Sequence, residues 1–342
     1  MADKEIAKRS RRSSGAITLR DVAKLAGVAP ITASRALNTP DQVSGEVLKK
    51  VKEAVDRTGY VPNRMAGGLA SARSRLIAAI VPSTVISVFN ETIETLNGTL
   101  FDAGYQLMLG QSGYSQAREE MLLEAVIGRR PDGIFITGIM PPGKARTGLL
   151  ASGIPVVETW DLTPTPIDML VGFSHAQIGR DVAQFFIQKG RRHLAIVRAE
   201  DERADRRTRA FIDTVTAHGL GEVHVENVGA LRTLRSGRNA MAKILATRPQ
   251  VDAVFCSSDL LAMGVLTEAR ARNIRVPESI SVMGFGDVPF VADMIPALST
   301  VRINGAHIGQ IAARHLMDRA EGRAVAQPIV DVGFAIIERD ST

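Results

Sequence analysis

From Leu76 onward the chain alternates short β-rich runs with helical patterns. RLIAAIVP, YQLMLG, GIFITG, IPVVET, HLAIVRA, AVFCSS and ISVMGF are the β-rich runs. Between them, FNETIETLNGTLFDAG, HAQIGRDVAQFFIQKG and LLAMGVLTEARARN carry helical periodicity. Such alternation predicts strand–helix–strand units, parallel sheets and right-handed crossovers. The units are too many for one ordinary open sheet, so two α/β lobes are expected. Ligands of open α/β sheets bind outside the carboxyl ends of the strands. The candidates by that rule are Phe89 after the first run, Trp160 after IPVVET, Phe173, Ser258 and Asp259 after VFCS, and Asp287 after ISVMGFG. The aromatics could stack on the C–H faces of a polyol, and Ser258, Asp259 and Asp287 could bind its hydroxyls. For each aromatic, plain core packing is the alternative.

Residues 18–44, TLRDVAKLAGVAPITASRALNTPDQVS, have a different texture, with two short helices meeting at Ala26-Gly27-Val28. Thr18 and Asp21 form a capping-box-like start. Gly27 suits the left-handed residue that ends the first helix, and Pro30 suits the first position of the second. Ala33, Ala36 and Leu37 fall on one face of that second helix, and Ile31, Ser34, Arg35 and Asn38 on the other. The second face mixes an apolar group, a hydroxyl, an amide and a guanidinium, which suits the major groove of DNA. An ordinary surface helix is the alternative.

Charge supports the DNA reading. Residues 1–75 carry 15 Lys and Arg against 7 Asp and Glu, whereas the other residues carry 27 against 29. All of the excess positive charge is therefore in the first fifth of the chain, as for a polyanion-binding head on a neutral body. Residues 1–15 read as a disordered basic tail, 16–60 as the head, 61–75 as a helix-compatible linker weakened by Gly67 and Gly68, and 76–342 as the core. The single Cys256 excludes an internal disulfide framework. No secretory signal and no membrane-length apolar run is present, so a cytoplasmic protein is expected.

Catalysis finds no support. Ser174-His175 lies outside any nucleophile elbow, Cys256 sits in an apolar run where burial is expected, and the six histidines show no metal-ligand spacing. No catalytic residue, metal site or cofactor is expected.

TLRDVAKLAGVAPITASRALN, then VS, then GYVPNR resembles the helix-turn-helix head and hinge of the lactose-repressor (LacI) family of bacterial transcription regulators. The resemblance continues to about residue 337, and it implies an all-α head on a two-lobed, periplasmic-binding-protein-like α/β core with parallel sheets. It implies lobe one at about 76–172 and 304–328, and lobe two at about 174–302 and 329–340. Pro30, Ile31 and Arg35 match base-reading positions. Thr32, Ser34, Asn38 and Ser44 match backbone-contacting positions, and Thr18, Tyr60, Asn63 and Arg64 join the DNA-contacting set. Leu69 matches the leucine that the family wedges into the minor groove when its hinge folds on the operator. Ala29 departs from the pattern, standing where the family commonly has a capping Ser or Thr.

The stretch AEDERADRRTRAF bears on ligand charge. Arg203 and Arg207 are four residues apart near a helix start, which would make a carboxylate or phosphate site. Pairing of these arginines with Asp201, Glu202 and Asp205 on a solvated surface is the alternative. By the resemblance, Arg207 matches the effector-binding arginine. Gly286 replaces the Asp that members binding neutral sugars commonly carry after the GF of ISVMGF. Within the family, GYQLMLGQSGY, GIPVVETWD, DMLVGFSH, DER, VFCSSDLLAMG and DVGF are similar to gluconate-operon repressors. The implied protein is a homodimeric repressor that binds double-stranded, pseudopalindromic operator DNA and is switched by gluconate or a related sugar acid. No leucine heptad follows residue 337, so no tetramerising coiled coil is expected. A transporter's solute-binding protein is the rival; the basic head and missing signal count against it.

Overall fold

The computed structural model describes residues 17–61, 74–84, 88–113, 115–229 and 232–342. The chain divides into two compact units between Ser74 and Arg75. Asn63, Arg64, Gly67, Gly68 and Leu69, and the tail before Ile17, lie outside the described residues.

The first unit holds helices α1 (Leu19–Ala26), α2 (Pro30–Asn38) and α3 (Gly45–Thr58). The backbone N–H and hydroxyl of Thr18 both donate to the Asp21 carboxylate, at 2.8 and 2.6 Å. Gly27 ends α1 at φ 66°, a left-handed conformation that favours glycine, and the following Val28 N–H returns to the Ala23 carbonyl at 3.0 Å. Pro30 opens α2, and Ala29 before it supplies no side-chain cap. The core is small: Val22, Ala23, Ala26, Ala33, Ala36, Val51 and Ala54 are buried, with Leu37, Leu48 and Tyr60 packed around them. The alanines let the helices approach closely, and Val22 and Val51 each add about 1.5–3 kcal/mol of burial.

The second unit has two six-stranded sheets. Lobe one holds β1 (Leu76–Val81), β2 (Gln106–Gln111), β3 (Gly133–Thr137), β4 (Val156–Thr159), β5 (Met169–Gly172) and β11 (Ile329–Asp331), in the order β11-β5-β4-β3-β1-β2. Lobe two holds β6 (Leu194–Arg198), β7 (His224–Asn227), β8 (Ala253–Cys256), β9 (Ser281–Phe285), β10 (Ser299–Arg302) and β12 (Ala335–Ile337), in the order β12-β10-β9-β8-β6-β7. Pairing is parallel except between β10 and β12. The central strands β3, β4, β5, β8 and β9 are buried along their whole length. That is why they read as continuous apolar runs and not as alternating ones. Edge strand β2 keeps exposed positions. Cys256 is fully buried in β8.

The chain passes between lobes after β5, again between β10 and the helix Gly305–Ala320, and a third time between β11 and β12. The third crossing differs from the expected boundary. Ile329–Asp331 pairs in parallel with Leu170–Gly172 in lobe one, so the return to lobe two falls after Asp331 and not at 329. Three residues of ladder hydrogen bonding outweigh what the sequence pattern could show.

One close approach positions the site. Helix His175–Gln188 packs on helix Glu202–Ala217, and a Cβ on Gly179 would stand 2.2 Å from the Arg207 carbonyl oxygen. Glycine there lets the two backbones touch, and it sets His175, one turn earlier, against the Arg207 side chain.

Candidate functional site

The head presents α2. Ala33 and Ala36 face inward, and Ile31 is 61% exposed. Pro30, Arg35 and Asn38 are also exposed, and Thr32 and Ser34 are half-buried. The Asn38 amide donates to the Ser34 carbonyl at 3.0 Å and lies 3.3 Å from its hydroxyl, so Ser34 and Asn38 form one polar patch. The Ser44 hydroxyl accepts the Val47 N–H at 3.4 Å and caps α3. Tyr60 packs half-buried against the core of the head, a supporting position.

The core holds a cleft of about 480 Å³ at the carboxyl ends of the strands. Lobe one contributes Ser83, Phe89, Gln111 and Trp160; lobe two contributes His175, Asp201, Arg203, Arg207, Arg232, Thr233, Ser258, Asp259 and Phe285. Of the residues chosen by the strand-end rule, the structure brings Phe89, Trp160, Ser258 and Asp259 to this cleft, and it brings Arg203 and Arg207 there from the arginine pair.

The rule missed on two residues. Phe173 is fully buried behind the wall, edge-on to Trp160 at 5.6 Å between centroids. Asp287 is turned away from the cleft: it pairs with Arg339 at 2.7 Å and with Arg302, clasping β10 and the C-terminal segment. Its φ of 53° redirects the chain just past β9.

Lobe one's wall is aromatic and uncharged. Trp160 sits in the left-handed region at φ 64°, a conformation that costs a non-glycine residue about 1–3 kcal/mol and is commonly found at binding sites. The ring is held by an Nε1–H bond to the Thr92 hydroxyl at 3.2 Å and by a T-shaped contact with Phe89 at 4.8 Å.

Lobe two's wall is cationic. Asp201 caps the helix Glu202–Ala217 through the Ala204 N–H at 2.9 Å, so the helix begins before Arg203. Its carboxylate receives Arg232 at 2.5 Å, and Arg203 Nε is 3.9 Å away. Burial opposes its ionisation, but Arg203, Arg207 and Arg232 outweigh this and hold it well below the usual carboxylate range. The other two acids go elsewhere: Glu202 pairs with Arg206 at 2.5 Å, and Asp205 with Arg198. Thus the solvated-surface reading of this stretch fails at Arg207, which is 4% exposed and in an ion pair with none of them.

Arg207 donates through Nη1 to His175 Nδ1 at 2.8 Å and through Nη2 to the Ser257 carbonyl at 3.3 Å, with its guanidinium 4.1 Å over the Phe285 ring. Burial lowers its pKa to about 10, so it remains a cation at neutral pH. Among the described residues, the buried Arg207 Nε and Arg203 Nη1 of this wall have no hydrogen-bond acceptor. Buried unsatisfied donors are costly and uncommon in folded proteins.

Asp259 lines the wall but is already committed. Its oxygens accept the Thr300 hydroxyl at 2.6 Å and the Val288 N–H at 2.9 Å, and burial pushes its pKa up to about 6. The Ser258 hydroxyl caps the helix Asp259–Ala271 at 3.4 Å. His175, Asp201 and Arg232 are wall residues that sequence reasoning did not select. An acid directly before a helical pattern was a readable cap signal for Asp201; nothing local marks Arg232. Ser174, considered with His175 for catalysis, caps the following helix through the Gln177 N–H at 3.1 Å.

Head and core together define a class: a compact helical unit with an exposed polar helix, followed in the same chain by a two-lobed cleft. Comparison with known proteins makes this definite. Residues 18–63 match the bacterial regulatory proteins of the lacI family, and residues 183–342 match a periplasmic binding protein-like domain. The chain is 37% identical to the HTH-type transcriptional regulator GntR of Pseudomonas aeruginosa, over 98% of both chains. It is 32% identical to GntR of Escherichia coli strain K12, over 93% of this chain and 96% of that one. A LacI-family transcriptional regulator from Silicibacter pomeroyi, solved by crystallography, superposes with a TM-score of 0.89 at 32% identity, covering 95% of this chain and 99% of the other. The protein belongs to the lacI family of bacterial regulatory proteins. It is a DNA-binding transcriptional regulator and not an enzyme, and the transporter reading falls with that assignment.

Proposed function

We propose that the cleft binds a sugar acid, gluconate or a close relative, and that its occupancy switches a homodimer on and off a pseudopalindromic operator. The observation that carries the ligand class is the pair of buried, acceptor-free guanidinium nitrogens on Arg207 and Arg203, two residues that line the cleft together with the aromatic, uncharged residues of lobe one. A carboxylate supplies the missing acceptors through charge-assisted bonds, and the polyol body lies against Trp160 and Phe89. Glutamine and hydroxyl groups at Gln111, Ser83 and Thr233 offer partners for its hydroxyls. Similarity to GntR regulators supports the same reading. On the DNA side, Pro30, Ile31 and Arg35 read bases, Thr32, Ser34, Asn38 and Ser44 hold the head on the backbone, and Thr18 and Tyr60 belong to the same DNA-binding set. Asn63, Arg64 and Leu69 complete the contact set from the linker. Calorimetry of the purified protein with gluconate, and with the uncharged polyol sorbitol as control, tests the ligand class. Gluconate binding without sorbitol binding is expected; equal binding of both refutes the carboxylate assignment.

A further inference from the structure

His175 lies at a junction that the sugar-acid reading does not itself require. It is 2% exposed and begins the first helix after the chain leaves lobe one. Its Nε2 is 2.9 Å from the Trp160 carbonyl in lobe one, and its Nδ1 is 2.8 Å from Arg207 Nη1 in lobe two. A guanidinium can only donate, and a backbone carbonyl can only accept. Nδ1 must therefore carry a lone pair and Nε2 the proton, which fixes one neutral tautomer. The ring is further boxed edge-on by Phe173 at 4.8 Å.

We propose that His175 is a positioning residue for ligand recognition: its neutral imidazole bridges Trp160 to Arg207 and so sets the spacing between the stacking wall and the anion-binding guanidinium. An aldonic acid spans those two surfaces, with its carboxylate on one and its carbon chain on the other. The bridge makes the spacing a property of the protein before any ligand arrives, which lowers the ordering cost of binding. Protonation of the ring would place a donor against a donor at Arg207. Burial opposes protonation of the ring most, Arg207 and Arg203 add to that, and Asp201 works against them.

This inference rests on the sugar-acid reading for its consequence but not for its geometry, so two measurements separate them. The first needs no ligand. Imidazole nitrogen shifts of the full-length protein, with His175 assigned by comparison with His175→Asn, should show the Nε2–H tautomer and no titration from about pH 7.5 down to about pH 5. An Nδ1–H tautomer, or ordinary titration, overturns the proposal. The second is calorimetry with gluconate. His175→Ala and His175→Gln should each weaken binding by about tenfold or more, because neither leaves an acceptor where Nδ1 stands. His175→Asn places an amide oxygen close to that position and should recover part of the loss. Equal affinities for the Asn and Gln variants overturn the positioning role. If the wild type ignores gluconate, the sugar-acid reading fails while the tautomer measurement still decides the bridge.

Discussion

Arg207→Met removes the guanidinium while keeping a long, flexible side chain in its channel. In the wild type Arg207 is held by His175, Ser257 and the face of Phe285, and its Nε–H has no acceptor among the described residues. Loss of one charge-assisted hydrogen bond to a carboxylate costs about 1.5–3 kcal/mol, so gluconate affinity should fall about 10- to 150-fold. Stability should change less. His175 Nδ1 loses its donor, at about 1–3 kcal/mol, but the burial cost of the guanidinium disappears and opposes that loss. Asp201 keeps Arg232 at 2.5 Å and is not left as an uncompensated charge. The net destabilisation should be below about 2 kcal/mol by denaturant unfolding. In anisotropy with labelled operator, the gluconate concentration for half-maximal effect should rise by the same factor as the affinity loss, because a ligand shifts an equilibrium only through its differential binding. A variant that binds gluconate within about twofold of the wild type while remaining folded refutes the anion role of Arg207.

Three further outcomes are expected. Arg35→Ala, exposed on α2, should lose about 1–3 kcal/mol of discrimination between operator and random DNA; equal loss on both would mean that it touches only phosphates. Ala29→Ser should stabilise the head by about 1 kcal/mol in thermal melts by supplying the missing cap on α2, and an unchanged melt contradicts the capping argument. Burial raises the folded pKa of Asp259 from the ordinary 3.8 to about 6, so its contribution to stability is full below the lower value and is lost as pH rises through the higher one. Asp259→Asn should therefore gain stability relative to the wild type as pH rises from about 4 to about 6; a difference that stays flat with pH contradicts the burial assigned to this carboxylate.

What the sequence made legible was local. The capping and turn residues of the head, Thr18, Gly27 and Pro30, announce their roles within a few positions, and the continuous apolar runs announce buried parallel strands. The strand-end rule then reached Phe89, Trp160, Ser258 and Asp259 in the cleft. What stayed hidden depends on contacts distant in sequence. Arg232 joins the cleft through Asp201, 31 residues earlier. Asp287 meets Arg339, 52 residues later, and is thereby withdrawn from ligand binding. His175 gains its meaning only because Gly179 lets two helices touch. Phe173 and Trp160 both follow strands, yet only the left-handed turn at Trp160 brings its ring to the cavity. The late crossing at Asp331 was equally invisible, since a three-residue strand carries too little pattern to say which sheet it joins.

In the proposed switch, a polar helix near the amino end reads DNA and an anion in the cleft controls that reading. Fluorescence anisotropy of full-length protein on its selected DNA site, at moderate ionic strength and with gluconate titrated against a sorbitol control, tests it most directly. Site-specific binding is expected, with a midpoint that moves with gluconate and stays fixed with sorbitol. Absence of site preference, or an identical response to both compounds, contradicts it.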